Sequence, residues 1–113
     1  MNRIKADNFF RAEPEKLNCA QCILKGFQTQ LNIADSMISE FRKYGGGRSP
    51  EGICGALYAA DYLLKQQDKN SIQEEFRKKA GAIMCHELKK TKELCQWRVR
   101  ISDELLAEKL NIF

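Results

Sequence analysis

Long apolar runs are missing from this chain of 113 residues. No stretch approaches the ~18 apolar residues of a membrane-spanning helix, so no membrane span is expected. Proline is scarce: Pro14 and Pro50 are the only two, and both stand near expected helix starts. The β-branched alternation of strands is absent, and so are the Asn-Gly and Asp-Gly dipeptides of tight hairpins. There is a single histidine, His86. It adjoins Cys85, and neighbours on a helix point ~100° apart, so the two do not make a base–nucleophile pair. The opening segment MNRIKADNFFRAEPEK is charged throughout and lacks the apolar centre of a secretory signal. Neither internal repeats nor low-complexity tracts occur, and no helix-turn-helix, zinc-finger or RNP pattern is present.

What is present is an ordinary helical composition with an unusual number of thiols. Apolar residues make up 43% and charged residues 30%, too apolar for a disordered chain and enough for one domain with a modest core. The net charge of +4 is mild. Between 77 and 100, eight basic residues (Arg77, Lys78, Lys79, Lys89, Lys90, Lys92, Arg98, Arg100) face only Glu87 and Glu93. We read that segment as the solvated face of two helices rather than a nucleic-acid surface.

The fold class expected is all-α: a compact bundle of about five to six helices forming a single domain over 1–113. A short helix is placed at 6–12, anchored by Phe9 and Phe10. A second begins at Asn18, where Gln21 completes the spacing of a capping box. Its stripe runs through Ala20, Ile23, Leu24, Phe27, Leu31 and Ala34. A third covers 35–44 and ends at the Gly-rich turn 45–47. A fourth starts at SPEG, with Ser49 as cap and Ile53, Leu57, Ala60 and Leu64 inward. A fifth starts at Ser71, where SIQE again has the spacing of a capping box, with Phe76, Ala80 and Ile83 inward and Gly81 bending or interrupting it. The last runs over 91–110. It carries two apolar stripes, Leu94–Trp97–Ile101–Leu105 and Cys95–Val99–Leu106–Leu110. Two stripes on one helix suggest cover on two sides, and a homodimer is the expected source of the second.

Five cysteines remain to be explained. Without a secretory signal the expected compartment is the reducing cytoplasm, where clustered thiols point to metal binding or redox chemistry rather than disulfides. Cys19 and Cys54 fall near helix N-termini, where exposed N–H groups and the helix dipole favour a thiolate. Cys22 is rotated away from Phe27 and fits a small buried apolar group or a surface position. The Cys-Ala-Gln-Cys pair at 19–22 lacks the strand–turn–helix setting of a thioredoxin dithiol. The later cysteines follow at intervals of 32, 31 and 10 residues, which is not zinc-finger spacing.

NCAQ at 18–21, the glycine turn, CGA at 54–56, CHEL at 85–88 and the final Cys95 together resemble the family of redox-active proteins named for its C-GCAxxG-C-C pattern. The resemblance spans about 9–106. It implies that the family's four cysteines are Cys19, Cys54, Cys85 and Cys95, with Cys22 an addition, and Ala59 stands where the family has its second glycine. A similar domain in split-Soret cytochromes is associated with an iron–sulfur centre. The resemblance thus implies an iron–sulfur cluster, of the 2Fe-2S type, or another thiophilic metal on those four cysteines. The expected activity is electron transfer with a partner redox protein, or dithiol/disulfide cycling. No Cys-x-x-Cys-His attachment sequence occurs, so no haem is expected. The other reading is a helical interaction module whose cysteines are inert, and a thiol enzyme with its own substrate is the weaker third.

Overall fold

The computed structural model describes residues 3–45, 48–88 and 91–112. Among the described residues six α-helical segments follow one another: α1 Cys19–Gly26, α2 Gln28–Leu31, α3 Asp35–Glu40, α4 Gly55–Gln66, α5 Gln73–Ala80 and α6 Lys92–Leu110. Four 3₁₀ turns join them, at Ala6–Phe9, Phe41–Tyr44, Pro50–Gly52 and Cys85–Glu87. The expected all-α class holds, with no strand among the described residues. None of the described helices is long and apolar enough to cross a membrane. Of the expected glycine turn, positions 46 and 47 lie outside the described residues.

The capping box at α1 forms as its spacing predicts. Asn18 Oδ1 accepts from the Gln21 N–H at 3.0 Å, and the Asn18 N–H donates to Gln21 Oε1 at 3.1 Å. Gln21 is buried and its amide also donates to the Ile38 carbonyl at 2.9 Å, so the cap ties α3 to α1. Ala20, Ile23, Leu24 and Phe27 are buried as the stripe requires. The helix is shorter than expected, however. It stops at Gly26, α2 follows as a single turn, and Ala34 is exposed while Ile33 turns inward.

The helix expected from SPEG starts later. Glu51 and Gly52 both adopt left-handed φ (62° and 73°), the Ser49 hydroxyl donates to the Ile53 carbonyl, and α4 begins only at Gly55. This moves Cys54 from the first turn to the N-cap position. Gly81 ends α5 in a left-handed conformation (φ 96°), so Ile83 lies beyond the helix. The first expected helix contracts to the 3₁₀ turn at Ala6–Phe9.

Helix α6 is the spine. It packs on α4, α1, α5 and the N-terminal 3₁₀ turn, and α1 packs on α4. Val99, Ile101, Leu105 and Leu106 are all buried within the one chain. The chain's own α1, α4 and α5 thus pack against much of both stripes, while Leu94, Cys95 and Leu110 stay half-buried. Trp97 alone among the large apolar groups of α6 stays exposed, at 43%.

Candidate functional site

Cys19, Cys54, Cys85 and Cys95 line one cavity of about 130 Å³, together with Phe10, Arg11, Asn18, Gly55, Leu88 and Arg98. That volume is room for about four water molecules. Local backbone pairing accounts for the convergence. The Cys54 N–H donates to the Ile83 carbonyl at 2.8 Å, and Ile53 pairs with Met84 in an isolated antiparallel bridge, which sets the Cys85 turn beside the start of α4. The Arg11 N–H donates to the Leu17 carbonyl at 2.9 Å beside a Phe10–Leu17 bridge, which brings Phe10 and Arg11 against the start of α1. Cys19 opens α1, and Cys95 lies in the first turns of α6, whose cap is the Thr91 hydroxyl on the Leu94 N–H.

Gly55 permits the closest approach. A Cβ there would stand 2.7 Å from Cys19 Sγ and 2.9 Å from the Tyr44 carbonyl, so only glycine lets α4 lie against the Cys19 thiol. Ala59 is fully buried in α4 and does not line the cavity, so its methyl group leaves the thiol set untouched. His86 is exposed and also lies outside the cavity lining.

Cys22 does not join the other four. It is fully buried in the core, with its thiol 3.8 Å from the Leu17 carbonyl. Burial, with lesser contributions from Cys19 and Asp7, pushes its pKa far up.

Cys54 departs from the expected thiolate character. Burial outweighs every other influence and pushes its pKa up to about 12, with the neighbouring Cys19 and Cys85 thiols adding to the rise. The N–H groups of Leu57 and Ala56 act downward, as the start of a helix should, but do not compensate. A thiol in the unfolded chain ionises near pH 8.5. Above that pH the folded metal-free chain keeps a proton that the unfolded chain has lost, so stability falls as pH rises toward 12. The urea midpoint of the metal-free protein is expected to drop between pH 8 and pH 10, and to drop less in Cys54→Ala.

None of the five cysteines is disulfide-bonded. Among the described residues no three His, Cys, Asp or Glu side chains are grouped so as to hold a single metal ion. The larger hollow of about 580 Å³ between the N-terminal segment and the end of α6 contains no cysteine. Its Arg3 pairs with Asp103, and its Lys5 with Glu104.

Arg98 and Arg11 were not singled out by sequence reasoning. Arg98 looked like one more charge on a basic face, yet it is buried and lines the cavity. The available signal was its place three residues after Cys95, on the same helix face. No known family, curated protein or solved structure matches the chain.

Proposed function

We propose that the chain is a redox-active module in which Cys19, Cys54, Cys85 and Cys95 hold an iron–sulfur cluster, of the two-iron type, for electron transfer with a partner redox protein in the cytoplasm. The observation that carries this reading is that four thiols from four separate stretches of chain line one cavity. The resemblance to the C-GCAxxG-C-C family is part of the same proposal.

The donor set suits such a group. Fe–S clusters are commonly held by four cysteine thiolates. A single tetrahedral ion needs all its sulfurs ~2.3 Å from one point, hence crowded together. Ligands of a cluster are shared among its irons, and the four thiols that line this cavity match that number. A cluster bound there would supply reversible one-electron transfer. Phe10 and Leu88 would keep water from it, and the N–H groups at the start of α4 would stabilise the Cys54 thiolate once metal displaces its proton. Dithiol/disulfide cycling is the second reading; burial raises the Cys54 pKa, so the attacking thiol in such a cycle would be another of the four.

The test is anaerobic purification, or reconstitution with ferrous iron and sulfide, followed by metal and sulfide analysis. About two irons and two labile sulfides per chain are expected, with visible absorption that bleaches on reduction. A protein that takes up neither iron nor sulfide, and no other thiophilic metal, refutes the reading and leaves a helical interaction module.

A further inference from the structure

We infer that Arg98 is the built-in counter-charge for an anionic occupant of the cysteine cavity, which on the reading above is the thiolate-held cluster. Arg98 is only 6% exposed. Its Nη1 lies 3.9 Å from Cys95 Sγ, and its Nε is buried without a hydrogen-bond partner among the described residues. No carboxylate among those residues pairs with it. The contrast with Arg100, two residues on, is direct: Arg100 pairs with Asp7.

A guanidinium does not shed its charge when buried, as a lysine can, so its burial is costly unless an anion meets it. The cavity it lines carries four thiols, with Arg11 and Asn18 as its other polar residues and no carboxylate among the described residues. Thiols become thiolates when they bind metal, and a two-iron cluster on four thiolates is a dianion when oxidised and a trianion after one electron. A fixed cation beside it holds the group in place and stabilises the reduced form more than the oxidised one. The same cation burdens the metal-free chain, so removing it has opposite consequences in the two states.

The experiment compares wild type, Arg98→Leu and Arg98→Lys, each metal-free and after reconstitution with iron and sulfide. Metal-free Arg98→Leu is expected to melt at or above the wild-type temperature. After loading, it should release iron to a chelator about tenfold faster than wild type. Its midpoint potential in a dithionite titration should move to more negative values. Arg98→Lys should recover much of both. Wild-type release and potential in the loaded Arg98→Leu protein overturn the inference while leaving the cluster intact. So does an equal loss of metal-free melting temperature in both variants, which would mark Arg98 as packing alone. If wild type itself binds no iron and sulfide, the cluster reading fails first and the inference falls with it.

Discussion

Cys54→Ser is expected to reduce iron and sulfide loading to about a tenth of wild type or less, while Cys22→Ser leaves loading near normal. The two residues are both buried, so burial alone does not separate them. What separates them is what they border. Cys54 lies at the N-cap of α4 on the cavity wall, near enough to Cys19 and Cys85 for their charges to act on it. Cys22 lies one turn into α1 among core side chains, with its thiol toward the Leu17 carbonyl. A serine at 54 keeps the shape but offers a hydroxyl that stays protonated where a thiol would yield to metal. A serine at 22 places a more polar group in the core, where its hydroxyl has the Leu17 carbonyl as acceptor. A cost of about 1–2 kcal/mol is expected there. Urea unfolding and metal analysis on the same two proteins therefore give crossed results: loading is lost at 54, and stability rather than loading is lost at 22. Equal loss of loading from both would mean that Cys19 and Cys22 act together as a dithiol and that the core position of Cys22 is not maintained in the loaded protein.

The parts of this molecule that were legible in sequence are those set by near neighbours. The Asn18–Gln21 capping box and the Thr91 start of α6 depend on residues within one turn, and both formed; the capping box expected at Ser71 did not, because α5 begins at Gln73 with no side-chain cap, and Gly81 ends the helix short of Ile83. The start of α4 was misplaced because Ser49 and Pro50 are good opening residues for a helix. Nothing in SPEG announces that Glu51 and Gly52 will both turn left-handed. The split after Gly26 has the same character. Gly26 lies against Ala6, where an added Cβ would stand 2.9 Å from the Ala6 Cβ, a contact between residues twenty apart in sequence. The thiolate character expected of Cys54 rested on helix position alone, and what reverses it is burial, with the Cys19 and Cys85 thiols, 35 and 31 residues away in sequence, adding to the rise. Periodicity could not bring Cys85 to Cys54 either. That pairing rests on a backbone bridge between Ile53 and Met84, and only the family resemblance suggested the grouping. Arg98 illustrates the limit most clearly. A charge run reads as solvated, and whether one member of it is buried is decided by elements far away in the chain.

Asp103→Ala is expected to destabilise the protein by about 3 kcal/mol and to loosen the cavity as well. Asp103 is fully buried on α6 and accepts from Arg3 Nη1 and Nη2 at 2.7 and 2.5 Å. It also accepts from the Ala6 N–H at 2.7 Å. The Arg3 guanidinium lies over the Phe27 ring, 3.9 Å from its centroid, and the pair lines the hollow between the N-terminal segment and the end of α6. Removing the carboxylate leaves the Ala6 N–H without its acceptor and the Arg3 guanidinium with only the longer contacts to the Gly26 and Ile4 carbonyls, at 3.4 and 3.5 Å. Arg3 lines the hollow beside the end of α6 and can turn into it, which keeps the expected cost toward the lower end for a broken buried pair. Arg3→Ala is expected to cost at least as much, because the Asp103 carboxylate cannot leave the middle of α6. The consequence for the site follows from connectivity. Asp103 holds Ala6, Arg100 and Gln96 hold Asp7, and this clamped segment carries Phe10 and Arg11 to the cavity wall. The same helix carries Cys95 and Arg98, so α6 fixes the two walls relative to each other. Urea unfolding measures the first effect. The second is read as faster modification of the cavity thiols by a small alkylating reagent under conditions where Asp103→Ala stays folded. A variant that loses stability with unchanged thiol reactivity would show that the wall formed by Phe10 and Arg11 stands without the clamp.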